Sequence, residues 1–311
     1  MRIAIIDIGT NTINLLVADA GEGGAYSIIH SSKVTARLGK GGINDRRLTA
    51  EAIERGIDAI GQHVERLKSY GTVDRIVAIG TSALRVAENS SEFTSRVKSQ
   101  YGIDVKIIDG LEEASLIYDG AKQVMPIGRE RVLILDIGGG SCEFIIADKD
   151  GVKWSQSFEL GMSRLLDRFT PSDPITRKQV SEIEAYIRPG LKDLYEALRA
   201  YPTSILVGTS GSFDISAYLV AKRNHPSLNT MLTTTYEIPL ANFDEVYRKI
   251  ISSSREQRKE MVSIDPGRVD LIVMGVIFIN FVISEMRMER LFQCGFALKQ
   301  GVIYRIANGL M

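Results

Sequence analysis

The sequence is poor in the residues that staple, ligate or anchor. Its two cysteines, Cys142 and Cys294, have neither CxxC nor Cys/His ligand spacing, so a disulfide framework and a zinc site are excluded and buried, reduced thiols of a cytoplasmic protein are expected. Three histidines, His30, His63 and His225, show no metal or triad spacing and receive no role. Neither sign of charge is in excess, since 38 Lys plus Arg balance 38 Asp plus Glu. That removes the signature of a nucleic-acid or anionic-membrane binder, and any anion must be held locally. The most apolar segment, 269–286, carries Asp270, Asn280 and Glu285 and falls short of the clean run of about 20 apolar residues that spans a bilayer; it reads as a buried core helix. The N-terminal "MRIAIIDIGT" is too short and too interrupted by Asp7 for a signal peptide, so export is not indicated. No GK[ST] follows a glycine-rich loop and no GxGxxG opens a strand–helix unit, which sets aside Walker-type and dinucleotide-binding readings.

What the sequence has is an element used twice. "IAIIDIGTNTINLLVAD" (3–19) and "VLILDIGGGSCEFIIAD" (132–148) align at constant offset, Asp7 on Asp136, Gly9 on Gly138, Thr12 on Ser141 and Asp19 on Asp148. Each is an apolar strand, a small polar turn and a second apolar strand. A third strand, "AYSIIHS", completes an antiparallel meander, and "VKWSQSFELG" does the same in the second half. A long amphipathic helix capped by Thr49 and stopped at Gly71 follows the first meander; one long helix over 176–200 is expected after the second, and then a strand "SILVG" and a helix. The length suits two domains, and the repeat divides them as 1–124 and 125–311 with a short crossing at 125–131, the last helix being free to pack back on the first lobe.

A strand ending in Asp before a glycine-rich turn aims successive backbone N–H groups into a concavity suited to phosphate oxygens. One such turn is also an ordinary hairpin. Two of them, on related lobes facing across a cleft, fit a chain of phosphates carrying Mg²⁺. "SILVGTSGSFD" offers a third glycine-rich loop at the start of a helix, where backbone donors favour an anion.

With "GTSGS", the pair "DIGTNT" and "DIGGGSCE" resembles the phosphate loops of the actin, sugar-kinase and chaperone-ATPase superfamily. More closely, "IDIGTNTINLLVAD", "ARLGKGG", "GTSALRVAEN", "IIDGLEEASLIYDGA", "LDIGGGSCEFII" and "ALKQGVIY", in this order, resemble the exopolyphosphatase and guanosine pentaphosphate phosphohydrolase family, in its short two-domain form. The resemblance implies an α/β fold of two duplicated ribonuclease-H-like (actin-like ATPase) lobes with a cleft between them. It also implies magnesium-dependent hydrolysis of a terminal phosphoanhydride bond, with inorganic polyphosphate or guanosine pentaphosphate as substrate and no nucleic-acid or membrane partner; a homodimer is compatible with it.

By the same resemblance, Glu113 is the general base, Arg85 a phosphate clamp, and Asp136, Glu143 and Asp7 the magnesium-side carboxylates. Thr10, Asn11, Gly138, Gly139, Gly140, Ser141, Gly211, Ser212 and Arg37 would hold phosphate oxygens. Read without it, "GLEEA" is an acidic first turn complementing a helix dipole, Arg85 a surface side chain and Asp7 a strand-end cap. Cys142 stands where Thr is usual and Lys299 where Arg is common; Lys lacks the bidentate fork of Arg, so Lys299 is given no catalytic role. A small-molecule kinase on the same fold and a non-catalytic nucleotide-sensing module remain as alternatives.

Overall fold

A computed structural model describes residues 1–125, 127–224, 233–261, 264 and 266–311. The strands, in chain order, are β1 (Arg2–Ile8), β2 (Thr12–Ala20), β3 (Tyr26–Thr35), β4 (Arg75–Gly80), β5 (Val105–Ile107), β6 (Val132–Ile137), β7 (Cys142–Asp148), β8 (Gly151–Phe158), β9 (Ile205–Thr209), β10 (Thr235–Glu237) and β11 (Arg290–Cys294). They form two sheets, ordered β3-β2-β1-β4-β5 and β10-β11-β9-β6-β7-β8. Each sheet begins with an antiparallel meander, and its first strand then pairs in parallel with the strand that follows the intervening helices. Apart from the extra edge strand β10, the second sheet repeats the first, and the fold class is that of two duplicated ribonuclease-H-like lobes.

Side-chain alternation along the strands builds three apolar layers. On β1, Ala4, Ile6 and Ile8 face the outer core under the helix Ala50–Leu67, while Ile3 and Ile5 face inward. On β6, Leu133, Leu135 and Ile137 join the outer core of the second lobe, and Val132 and Ile134 face inward. The inner layer is shared: the helices Gly110–Ala121 and Leu298–Ala307 lie in it against both sheets. They cross so closely that a Cβ on Gly301 would fall 1.9 Å from the Leu116 carbonyl oxygen. The last helix packs against β1, β2 and β3, so the C-terminus of the chain closes over the N-terminal sheet.

The apolar segment near the C-terminus forms the helix Leu271–Glu285, buried along most of its length, and no helix among the described residues is long and apolar enough to cross a membrane. The single helix expected over 176–200 is instead two, Arg177–Gly190 and Lys192–Ala200. Pro189 has no N–H for the Ala185 carbonyl, and the chain turns at Leu191 before restarting. Both cysteines are free and buried. His30 bonds Ser32 and His63 bonds the Ile13 carbonyl, each at 2.9 Å; His225 and the crossing residue Pro126 lie outside the described residues.

Candidate active site

The same alternation aims the site. Asp7 continues the inward side of β1 after Ile3 and Ile5, and Asp136 continues the inward side of β6 after Val132 and Ile134. The two carboxylates therefore end on one gap between the lobes, where a cavity of about 310 Å³ opens. Their cross-strand partners differ: Asp7 lies opposite Asn14, and Asp136 opposite Glu143. Asn14 Nδ2 donates to Asp7 Oδ2 at 2.9 Å, and Thr209 Oγ1 donates to Asp136 Oδ2 at 2.7 Å.

Glu113 reaches the cavity from the first turn of the helix Gly110–Ala121, whose N-cap Asp109 accepts from the N–H groups of Leu111 and Glu112. The adjacent acidic residues separate by helix geometry. Glu112 turns outward to pair with Lys106, whereas Glu113 is 8% exposed and accepts from Arg85 Nη1 at 2.7 Å. The same guanidinium donates to the Ile108 carbonyl, and its Nη2 lies 3.4 Å from Ser141 Oγ, 3.5 Å from Ser157 Oγ and 4.0 Å from Glu143 Oε1. Ser157 donates to Glu143 Oε1 at 2.6 Å. Arg85 is thus a bridge between a first-lobe carboxylate and a second-lobe carboxylate. It sits behind the cavity wall rather than on it, because both of its terminal nitrogens are already engaged.

Burial dominates the electrostatics. It lifts Glu113 well above the ordinary carboxyl range, with the negative charge of Glu143 adding and Arg85 opposing. It pushes Asp136 up to about 7, again with Glu143 adding. Glu143 is raised by burial and restrained by Ser157, Ser141 and Arg85. Asp7 is raised by burial, but Lys299 and the Asn14 amide pull it back.

The phosphate loops meet. A Cβ on Gly139 would fall 2.9 Å from Thr10 Cβ, and one on Gly140 would fall 2.7 Å from Thr10 Oγ1 and 2.5 Å from Ser82 Oγ, so only glycine admits this approach of the lobes. The loop tips leave no gap for a phosphate chain between them, and the cavity opens beside their contact. Thr10, Asn11, Gly138, Gly139, Gly140 and Ser141 all line it, as do Gly211 and Ser212 at the start of the helix Gly211–Asn224. Arg37 does not. Its backbone N–H donates to the Asn11 carbonyl at 2.8 Å in a left-handed turn (φ 50°), so it supports the loop from behind. Glu143 is also withdrawn from the wall, 1% exposed and occupied with Ser157 and Arg85.

Three cations absent from the expected set line the cavity: Lys33 on β3, Arg268 ahead of the helix Leu271–Glu285, and Lys299 in the first turn of the last helix. Lys299 feels Asp7 and Asp214, and burial lowers its affinity for its proton. The motif "ALKQG" carries the signal for Lys299, and nothing local marks Lys33 or Arg268.

No group of three or more His, Cys, Asp or Glu suited to a metal occurs among the described residues. The second-lobe carboxylate at the cavity is Asp136, a hard oxygen donor with the Thr209 hydroxyl bonded to it, and Glu143 lies behind the wall on the neighbouring strand. That set fits a magnesium ion retaining most of its water and sharing phosphate oxygens, and it does not fit a cation needing a full protein cage.

Residues 16–309 match the Ppx/GppA phosphatase family. The chain is 30% identical over 297 residues to exopolyphosphatase 2 of Mycobacterium tuberculosis, with 92% of this chain and 91% of that protein covered. It is similar to the crystal structure of an exopolyphosphatase from Cytophaga hutchinsonii at a TM-score of 0.96, with 32% identity and 100% and 99% of the two chains covered. A Ppx/GppA family member from Aquifex aeolicus shares the fold at a TM-score of 0.79 and 24% identity, covering 99% of this chain and 98% of that one.

Proposed function

The chain belongs to the Ppx/GppA phosphatase family, and on that premise we propose that it hydrolyses the terminal phosphoanhydride bond of inorganic polyphosphate, releasing orthophosphate. The observation that carries this reading is Glu113: a carboxylate on the wall of a cavity built from two phosphate loops, buried, and held by one arginine. In its ionised form, Glu113 takes a proton from water as the water oxygen bonds to the terminal phosphorus and the bridging P–O bond breaks. Arg85 opposes, without cancelling, the burial and the neighbouring Glu143 that favour protonation of that carboxylate, and fixes its orientation. Backbone N–H groups of loops 9–12 and 138–141 hold the terminal phosphoryl oxygens, and Lys299, Lys33 and Arg268 attract the rest of the polyanion. Asp136, with Glu143 behind it, would hold a magnesium ion, which would supply charge neutralisation toward the phosphate oxygens.

The names of the relatives favour polyphosphate over guanosine pentaphosphate as the principal substrate. Incubation of the purified protein with each compound plus magnesium, and no other acceptor, tests this. Orthophosphate is expected from polyphosphate at the higher kcat/KM, with turnover lost after exhaustive chelation. Release from guanosine pentaphosphate alone would reassign the substrate, and transfer of the phosphoryl group to a supplied acceptor alcohol, with no orthophosphate released, would make the protein a kinase.

A further inference from the structure

Hydrolysis as proposed needs the two phosphate loops held in one mutual register. We infer that Arg164 is the positioning residue that locks the second lobe's phosphate loop to the first lobe and so keeps the cleft assembled before substrate arrives; the catalytic consequence rests on the polyphosphatase reading above. Arg164 belongs to the helix Met162–Phe169 of the second lobe and is 7% exposed, although it carries a charge. Its Nε donates to the Gly140 carbonyl at 3.2 Å, in the second lobe's phosphate loop. Its Nη1 donates to the Ile43 carbonyl at 3.1 Å and to Asn44 Oδ1 at 3.4 Å, both in the first lobe. Its Nη2 lies 3.2 Å from Glu159 Oε2.

The first-lobe side answers. Asn44 Nδ2 donates to the Arg164 carbonyl at 3.3 Å and to Asp167 Oδ2 at 3.2 Å. The segment carrying Ile43 and Asn44 is itself fastened to the first phosphate loop, because Ile43 N–H donates to the Gly39 carbonyl and Gly39 N–H to the Thr10 carbonyl, each at 3.0 Å. An unbroken series of bonds therefore runs from Thr10 through Gly39, Ile43 and Arg164 to Gly140, behind the point where Thr10 meets Gly140. Burying a guanidinium is costly unless its donors find acceptors; here Nε and Nη1 find them, one set in each lobe, while Nη2 has the Glu159 charge beside it but no hydrogen bond. Opening the cleft would exchange the fixed first-lobe acceptors, two carbonyl-type oxygens aimed at one guanidinium, for water, so these bonds favour closure by the margin of a charge-assisted bond over hydration. Arg164 is absent from the cavity lining and acts through the loops alone.

Spin labels on Ser91→Cys and Lys178→Cys, exposed sites on opposite lobes, report closure without substrate while the native cysteines stay buried. The parent should give one short distance. Arg164→Lys keeps the charge but loses the fork, and should add a longer population that a non-hydrolysable phosphate chain removes. If the closed fraction falls to about a tenth, KM for polyphosphate rises about tenfold while kcat stays within about twofold, because substrate binding restores the closed state. Asn44→Ala should shift both readouts the same way by less, and it decides the matter should Arg164→Lys not fold. Parental distances in the variants, a longer distance with KM unchanged, or a loss of kcat at constant KM would each overturn the inference. The distance measurement needs no turnover, so a wrong substrate assignment would leave it standing.

Discussion

The turn after β1 and the turn after β6 close with the same bond, Gly9 N–H to the Thr12 carbonyl at 3.1 Å and Gly138 N–H to the Ser141 carbonyl at 3.0 Å. Their strand registers also correspond: Asp7, Asn14 and Lys33 lie side by side on β1, β2 and β3, and Asp136, Glu143 and Ser157 on β6, β7 and β8. The backbones are copies, yet the side chains have parted. On the first lobe, the strand-end Asp is bonded by a neutral amide and attracted by Lys299. On the second, the equivalent Asp is pushed up to about 7 by burial first and then by the second carboxylate it faces. Duplication supplied two phosphate cradles, and substitution made one a holding half and the other a half that concentrates negative charge. Such a concentration is costly without a cation, which is why the magnesium of the proposed function is assigned to the second lobe.

The sharpest test of this division concerns Glu113, a first-lobe residue aimed at second-lobe chemistry. Glu113→Gln keeps the shape and removes the proton acceptor; kcat should fall about 10²-fold or more with KM near the parental value, in line with general-base contributions. Glu112→Gln, altering a carboxylate paired with Lys106, should leave kcat within about threefold. Steady-state kinetics on both variants decides between the neighbours. Two active variants would move the base elsewhere.

That pair also measures how far the sequence could be read. The repeated Asp-Ile-Gly turns, the sheet meanders and the carboxylate at the start of the helix Gly110–Ala121 are local patterns, written in strand alternation and helix signals over a few residues. Pro189 was local too, and the break it makes should have been expected. Long-range pairings were not legible. Arg85 meets Ser141 from 56 residues away and Arg164 meets Ile43 from 121, and no spacing within either motif records the partner. For the same reason the motif around Arg85 does not show that its nitrogens bond Glu113 and its neighbours, and that around Arg37 does not show that its backbone N–H bonds Asn11. The strand β11, which fills in the second sheet the place β5 has in the first, carries no duplicated motif and went unread.

A matched pair of substitutions separates the two halves directly. Asp136→Asn should raise the magnesium concentration for half-maximal rate about tenfold, since it removes the carboxylate on the cavity wall. Asp7→Asn should leave the magnesium titration within about twofold and lower KM slightly, because it removes a negative charge that competes with phosphate for Lys299. Titrations that shift equally in both variants would mean the lobes share the metal and the division of roles is wrong.

The smallest effect is on stability, and it comes from the same asymmetry. In the metal-free protein, Asp136 has its folded pKa raised to about 7 from an ordinary 3.8, so the folded state binds the proton more tightly than the unfolded chain. For a carboxyl shifted upward, the stabilising contribution is complete below about pH 4 and is lost as pH rises through about 7. Metal-free Asp136→Asn, which cannot ionise, should therefore melt a few degrees above the parent at pH 8, and the two should agree at pH 4. Asp7→Asn should gain less at pH 8, since Lys299 and Asn14 already offset the burial of Asp7. Saturating magnesium should narrow the difference at pH 8 by stabilising the ionised parent more than the amide. Calorimetry with chelator and with magnesium reads all of these, and a parent that melts no lower than Asp136→Asn at pH 8 would show that the second-lobe carboxylates are not crowded in the way their register implies.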